Sequence, residues 1–255
     1  ITPRFSYSND GSVYLKGEVG YISPSPYQMV DSAKMSTTFN TDLEPVYINN
    51  LKTEQHITGE VGIVQDYHIG EVFSGGVSFV GFYTHTFNEI YIYDQEHTLG
   101  TARFGNLGAT QRAGFEASAN QKFFQNQSLR LSEGINYIYS NVLEVGLAST
   151  SYDKDAQKLM LGVLKGQPVP FVPFLKASLK IEADFINHKQ ILLSGFWHNT
   201  YVSESSTAFG VNKKRYDNIM NKGGYVLVDL GLNMRYKYLR FNVGVRNLLD
   251  SLYAT

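Results

Sequence analysis

The pattern that decides the fold lies at residues 225–238, which read YVLVDLGLNMRYKY. From Val226 onward every second residue is apolar or aromatic, whereas the residues between them include Asp229, Asn233 and Arg235. Such alternation is typical of a β-strand with one face in an apolar medium and the other in water. Two tyrosines end the apolar series, as expected where a membrane-spanning strand meets the lipid–water interface. The stretch therefore predicts a transmembrane β-strand.

The same period of two recurs along the chain, with differing clarity. It is clear in residues 112–120, 175–185 and 239–246, and weaker in residues 13–21, 57–63 and 129–139. In the last of these segments the apolar series contains Glu133. Either this carboxylate faces lipid or a β-bulge shifts the register, and the sequence leaves both possibilities open.

The connections between these segments are sorted by length. Tight turns are predicted at residues 9–11, 67–70, 125–127, 187–189 and 237–239. Long polar connections alternate with them, at residues 24–53, 94–108, 148–170 and 204–224. Short turns at one end and long loops at the other are typical of transmembrane barrels, and a soluble sandwich is not expected to sort its loops this way. The sequence therefore predicts an all-β fold, an antiparallel up-and-down transmembrane β-barrel of which about ten strands lie in this chain.

Composition excludes several classes of function. The 255 residues include 22 Lys and Arg and 23 Asp and Glu, a net charge of -1, whereas a nucleic-acid binder is expected to show a basic surplus. The chain has no cysteine, which excludes disulfides, thiolate metal sites and a cysteine nucleophile. No nucleophile elbow, glycine-rich phosphate loop or paired carboxylates in a defined context is present, so we expect neither enzymatic activity nor a cofactor. The nearest enzymatic alternative is an outer-membrane hydrolase of roughly ten to twelve strands.

Two motifs point to a known family. Residues 247–253, which read NLLDSLY, resemble the NLFD-x-x-Y signature near the C terminus of TonB-dependent outer-membrane receptors. The series Asn106-Leu107-Gly108, Arg112 and Gly114-Phe115-Glu116 resembles the N-x-G … G-x-E stretch of that family. We expect Asn247 and Asp250 to shape the end of a strand, and Glu116 to pair with Arg112 or to contact a plug domain.

Three further matches follow in the family's order. Residues 48–54 resemble the NP-x-L-K-P-E stretch, with Asn50 and Thr53 at the two proline positions. Ser23-Pro24-Ser25-Pro26 stands where the family has its R-A-P stretch, and residues 82–90 resemble a strand that enters an outer loop. Together these motifs cover nearly the whole chain but only the C-terminal half of the family's barrel.

The resemblance implies a complete barrel of about 22 strands around an N-terminal plug domain. Residues 1–255 would then be a single β-barrel domain fragment, without the plug and without the final strand. It also implies a receptor in the outer membrane of a Gram-negative bacterium, surrounded by lipid, that takes up a ferric siderophore or another small nutrient. TonB would act through the absent plug.

Two other interpretations stay open from the sequence. One is a stand-alone outer-membrane barrel of roughly ten to twelve strands, such as a translocator or an adhesin. The other is a soluble all-β binding domain. A longer gene product that includes a plug would distinguish the receptor from the small barrel, and detergent dependence would separate both from the soluble domain.

Candidate ligand-binding residues are aromatic or basic and lie in the long connections. They are Tyr47, Arg103, Tyr152, Lys213, Arg215 and Tyr216. The run Lys213-Lys214-Arg215 is suited to an anionic chelate, although a solvated loop tip is the simpler interpretation.

A haem cargo is disfavoured by the distribution of histidines. Haem receptors of the family carry a histidine between the R-A-P and NP-x-L stretches, and none lies between Pro24 and Asn50. His97 is the clear outer-loop histidine, while His68 and His188 are predicted at the opposite end. His56, His85 and His198 are expected near strand ends that could reach the rim, and because the six form no compact ligand motif we predict no metal site.

Overall fold

The computed structural model describes residues 2–29, 51–94, 103–145, 165–205 and 223–252, without the side chains of residues 92–94, 103 and 145. Within these ranges the chain forms strands and one helical turn. They are β1 (Arg4–Ser6), β2 (Gly11–Ile22), α1 (Pro26–Met29), β3 (Glu54–Ile69), β4 (Phe73–Phe87), β5 (Ile90–Asp94), β6 (Arg103–Asn106), β7 (Gly108–Phe123), β8 (Leu129–Val145), β9 (Leu175–His188), β10 (Ile191–Val202), β11 (Tyr225–Tyr236) and β12 (Leu239–Val245). No helix among the described residues has the length and apolar character needed to cross a membrane.

Ten of the strands form one antiparallel sheet. Its order is β1-β2-β3-β4-β7-β8-β9-β10-β11-β12, and β5 and β6 pair with each other as a separate hairpin. Each strand of the sheet therefore pairs with the next sheet strand along the chain, and the hairpin is inserted between β4 and β7. This confirms the predicted all-β, up-and-down arrangement.

The two ends of the sheet differ in their connections. At the turn end the strands are joined by residues 7–10, 70–72, 124–128, 189–190 and 237–238. At the loop end they are joined by residues 23–53, 88–107, 146–174 and 203–224. The predicted alternation of short and long connections is therefore present.

Strand register places the two parities of the sequence on opposite faces of the sheet. The apolar face carries large side chains that are exposed in spite of their character: Leu15, Val19, Ile57, Val61, Phe79, Tyr83, Ile135, Tyr137, Trp197, Leu230, Leu232, Phe241 and Val243. The polar face carries most of the charged groups: Lys16, Glu18, Glu60, Arg112, Glu116, Arg130, Lys180, Glu182, Asp184, Asp229, Arg235 and Arg240. An exposed apolar surface of this extent requires a lipid or protein partner.

Aromatic side chains mark the height of the apolar face. Tyr67, Phe73 and Phe123 contact one another near the turn end, with centroid distances of 5.4 and 4.9 Å. Tyr83 lies on the same face nearer the loop end. The ten residue steps from Phe73 to Tyr83 span about 33 Å along the strand, or about 25 Å at a tilt of about 40°, the height of the apolar band of an outer-membrane barrel.

Glu133 lies on the apolar face without a bulge beside it. It pairs in register with Ala119 on β7 and Leu179 on β9, and the irregularities of the sheet lie elsewhere, at Ala109/Thr110 and Leu193/Ser194. Of the two possibilities left open by the sequence, the structure has the carboxylate on the apolar face. Through Ala119 this residue is level with Val77 of β4, four residues along that strand from Phe73.

Buried apolar side chains are found at the loop end. The described residues of this kind are Leu107, Ala109, Val142, Val169 and Val202. They lie at the beginning of β7, near the ends of β8 and β10, and in the connections next to these strands. The small packed core therefore supports the long loops, while the rest of the sheet forms a single-layered wall.

The two faces can be tested on β11. Leu230 pairs with Trp197 and Val245 on the apolar face, whereas Asn233 pairs with Ser194 and Asn242 on the polar face. We expect Leu230→Arg to destabilise the membrane-inserted protein by roughly 2–4 kcal/mol and Asn233→Arg to have little effect. A denaturant titration after refolding into lipid vesicles measures both variants, and equal losses of stability would contradict the assignment of the faces.

Candidate functional site

The loop end is the best-organised polar region of the chain, and Glu89 is its centre. This residue follows Asn88, which has a positive φ of 53°, a conformation that asparagine tolerates better than most residues. The carboxylate is nearly buried and accepts hydrogen bonds from the Arg112 guanidinium at 2.7 and 3.3 Å. It also accepts one from the Thr110 hydroxyl. Thr110 and Arg112 are two residues apart on β7, so both side chains point to the same face.

Asn106 ties three segments of the loop end together. Its Oδ1 accepts from the Lys52 backbone N–H at 2.8 Å, and its Nδ2 donates to the carbonyls of Lys52 at 3.0 Å and Asn88 at 2.7 Å. The Leu107 N–H then donates to the Glu89 carbonyl at 2.7 Å. Gly108 follows with a φ of 101°, which a side chain would disfavour. We call Lys52, Glu89, Asn106, Thr110 and Arg112 the rim latch.

The rim latch explains the spacing of two sequence motifs. In the Asn-x-Gly stretch, Asn106 supplies the side-chain amide and Gly108 the residue with a positive φ. Arg112, four residues after the glycine, supplies the positive charge that binds Glu89. Glu54 ends the second motif, residues 48–54. Its carboxylate accepts a hydrogen bond from the Ile90 N–H at 3.0 Å and so fixes the start of β5. The β5–β6 hairpin is also contacted by α1, where Tyr27 meets the Phe104 ring edge-on at 5.9 Å.

The predicted pairing of Glu116 with Arg112 does not occur. Arg112 binds Glu89, and Glu116 instead accepts from the Asn136 amide at 2.6 Å. Glu89 was not among the expected residues, because nothing local in the sequence connects it with an arginine 23 positions away. The one signal that could have indicated Glu89 is its position, two residues after the end of β4.

The charges of the polar face are largely compensated. Arg130 binds both oxygens of Asp184, at 2.8 and 3.1 Å. Further ion pairs on this face are Lys16–Glu18 at 2.9 Å, Lys16–Glu60 at 3.4 Å and Lys180–Glu182 at 3.2 Å, and the His198 Nδ1 lies 3.7 Å from an Asp229 oxygen. Such alternating signs suit a wet interior surface.

Asn247 and Asp250 shape the end of β12, as expected. Both have a positive φ of 51°. The Asn247 side chain accepts from the Ser251 N–H at 2.9 Å and donates to the Ser251 carbonyl at 3.0 Å. Its own N–H donates to Asp229 on β11 at 2.9 Å. The NLLD motif thus closes a turn against the neighbouring strand.

Of the six predicted ligand residues, the structure describes only the backbone of Arg103. Arg103 begins β6, although its side chain is outside the description. The other five, Tyr47, Tyr152, Lys213, Arg215 and Tyr216, lie outside the described residues, within connections that leave the loop end. That the six residues meet at one ligand site stays a prediction.

The histidines are dispersed. His56 is on the polar face near the loop end, His85 is on the apolar face, and His198 pairs with Asp229. His68 and His188 are at the turn end, as predicted, and His97 lies outside the described residues. Within the described ranges, no three His, Asp or Glu side chains are grouped in a way that would hold a metal ion.

A sheet with a lipid-compatible face, a charged face and long loops at one end defines a wall segment of an outer-membrane type of β-barrel. Residues 1–248 match the family model described as "TonB dependent receptor-like, beta-barrel". The chain therefore belongs to the TonB-dependent receptor β-barrel family. In such a barrel the apolar face meets lipid and the polar face lines the interior.

Solved structures share this fold at low sequence identity. The ferric yersiniabactin uptake receptor FyuA from Yersinia pestis is 21% identical, with 98% of this chain and 32% of that chain covered and a TM-score of 0.57. The siderophore receptor PiuA from Acinetobacter baumannii is 18% identical, with 97% of this chain and 31% of that chain covered and a TM-score of 0.61. The copper transporter OprC is 13% identical, with 98% of this chain and 33% of that chain covered and a TM-score of 0.58. The chain spans about a third of the length of each of these structures, and no curated protein sequence matches it.

The rim latch can be tested by local unfolding. Glu89→Gln removes the charge that compensates Arg112, so we expect roughly 1–3 kcal/mol less stability at the loop end. Hydrogen exchange should then be faster at the Leu107 and Ile90 amides. Glu116→Gln is the matched control, since it lies on the same face and outside the latch. Equal exchange in both variants would contradict the role of Glu89.

Proposed function

We propose that the chain is part of the wall of an outer-membrane receptor that binds a ferric siderophore at its loop end and admits it to the barrel interior. TonB would supply the energy through a plug domain inside the barrel. Membership of the TonB-dependent receptor family supports the receptor function, and the names of FyuA and PiuA favour a siderophore as cargo.

The rim latch is the observation that carries this proposal. Long loops bind ligands specifically when their bases are fixed, because ordering a free loop costs conformational entropy. Here the bases of two connections, residues 23–53 and 88–107, are joined by Asn106, Glu89 and Glu54. The six predicted ligand residues lie in the same connections or in others at that end. The loop end is therefore suited to hold a ligand above the interior.

The chemistry of those residues fits a ferric chelate. Several classes of siderophore bind iron through catecholate or hydroxamate oxygens, and the catecholate complexes are anionic and aromatic. Lys213 and Arg215 would attract the negative charge, and Tyr47, Tyr152 and Tyr216 would pack against flat apolar surfaces of the ligand.

The compensated polar face fits the next step. A row of free cations would retain an anionic cargo, whereas ion pairs such as Arg130–Asp184 and Lys16–Glu60 present a wet surface with little net charge. A hydrophilic complex could then move past this part of the wall without being trapped.

A binding screen of the full-length protein tests the cargo. The probes are a ferric catecholate, a ferric hydroxamate, haemin, cyanocobalamin and Cu(II), with quenching of intrinsic fluorescence as the measurement. Saturable binding of a ferric chelate alone supports the proposal. A Soret shift with haemin that His97→Ala abolishes would contradict it, as would saturable binding of Cu(II) alone.

The basic loop provides a directed variant. We expect Lys213→Ala combined with Arg215→Ala to weaken binding of an anionic ferric chelate by roughly tenfold to a hundredfold, at about 1.4 kcal/mol per tenfold. Lys189→Ala is the control, because it removes the same kind of charge at the turn end. Unchanged affinity in the double variant would exclude these two residues from the ligand site.

A further inference from the structure

A groove lies on the apolar face of the last four strands. Its volume is about 500 Å³, within the range of about 300–1,000 Å³ that ligand clefts have. Its floor is the buried Gly195 of β10, and Phe185 and Trp197 contribute to its walls. The partners of the glycine on the neighbouring strands, Ala183 and Leu232, also line it. We call this concavity the Gly195 groove.

A β-bulge builds the groove. The register shift between Leu193 and Ser194 leaves Phe185 of β9 without a partner on β10. Bulges re-aim side chains, and here the Phe185 ring is brought over Gly195, where an added Cβ would lie 2.8 Å from it. A side chain at position 195 would therefore occupy the space that the glycine leaves open.

The groove is within reach of the turn end. Two rows of paired residues on the apolar face lie between the groove and the turns: Ile186, Leu193, Met234 and Phe241, and then His188, Ile191, Tyr236 and Leu239. The four residue steps from Ile191 to Gly195 span about 13 Å along the strand, or about 10 Å of depth at a tilt of about 40°. An acyl chain whose headgroup lies at the turn end therefore reaches the groove.

The turn end beside the groove is cationic. Residues 186–193 and 234–241 contain four Lys or Arg and no Asp or Glu. The Lys237 N–H donates to the Gln190 carbonyl at 2.9 Å and so joins the two turns. The Lys237 Nζ lies 5.4 Å from the centroid of the Tyr236 ring, which belongs to the apolar face, so the ammonium group is at the edge of that face. Cations at this level attract anionic headgroups.

We propose that the Gly195 groove and Lys237 together bind one anionic phospholipid, with an acyl chain in the groove and the phosphate at the ammonium group. The proposal requires that the apolar face meets lipid, and it is independent of the cargo. A phospholipid is favoured over a protein because an apolar groove and a cation, separated by apolar side chains, match the two parts of one amphipathic molecule. A protein partner would need a contact of about 800 Å² per side, whereas the groove is confined to the surroundings of a single glycine.

Quenching of Trp197 fluorescence by brominated lipid tests the proposal. The full-length protein is reconstituted in phosphatidylcholine vesicles that contain, as a minor component, either phosphatidylglycerol or phosphatidylcholine with the same brominated acyl chains. Trp197 lines the groove and is the one tryptophan of residues 1–255, and subtracting the signal of Trp197→Phe removes any tryptophan elsewhere. We expect brominated phosphatidylglycerol to quench Trp197 roughly threefold more strongly than brominated phosphatidylcholine.

Two pairs of variants locate the site. Lys237→Gln removes the cation and Ala183→Leu fills the groove, so in each of them the two brominated lipids should quench equally. Lys122→Gln is the matched control for charge, because Lys122 is exposed at the turn end on the polar face. Ala117→Leu is the matched control for volume, because Ala117 is a half-buried alanine on the apolar face of β7. Both controls should keep the preference for phosphatidylglycerol.

Equal quenching of Trp197 by the two lipids in the otherwise unchanged protein would overturn the proposal without reference to any other variant. Quenching by neither lipid would also overturn it, since the groove would then be covered by protein. A preference that persists in Lys237→Gln or in Ala183→Leu would contradict it as well, because the preference would belong to the basic rim as a whole. Ferric-chelate binding, measured on the same samples, separates the two proposals: its absence would remove the siderophore cargo and leave the lipid site standing.

Discussion

The structure depends on the register that aligns each strand with the next. Because side chains alternate with a period of two, a slip of one residue between β2 and β3 would put Lys16 on the face of Val61 and Leu15 on the face of Glu60. The contact of 3.4 Å between Lys16 and Glu60 and the pairing of Leu15 with Val61 therefore impose the same alignment. This double requirement is met along the sheet, so a single-layered wall keeps a defined register without a core beneath it.

The loop end follows a different principle. There the chain leaves the alternation, and stability comes from buried groups such as Leu107 and Val142 and from the charge of Glu89 shared between Arg112 and Thr110. A nearly buried carboxylate is costly unless all its partners are present, so the geometry of the rim is set within narrow limits. The wall is thus specified by a repeated pattern of apolar and polar residues. The rim is specified by a few individual contacts, such as those of Glu89 with Arg112 and Thr110.

The difference explains what the sequence could predict. The strands and their faces could be inferred because alternation is a local signal, visible in residues 225–246 alone. The partners of Arg112 and Asn106 could not, because they lie 23 and 54 positions away and depend on the path of the hairpin between them. Glu133 breaks the alternation although no bulge lies beside it, and only its pairing with Ala119 and Leu179 shows which face it occupies. The bulge at Ala109/Thr110 produces no such conflict.

The same division accounts for the absence of a predictable cargo. Register constrains only whether a wall residue is apolar or polar, and many sequences satisfy that constraint. FyuA, PiuA and OprC accordingly share the fold of this chain at 13–21% identity, although their names describe different cargoes. Ligand chemistry is set by the side chains of the connections, which no periodicity constrains.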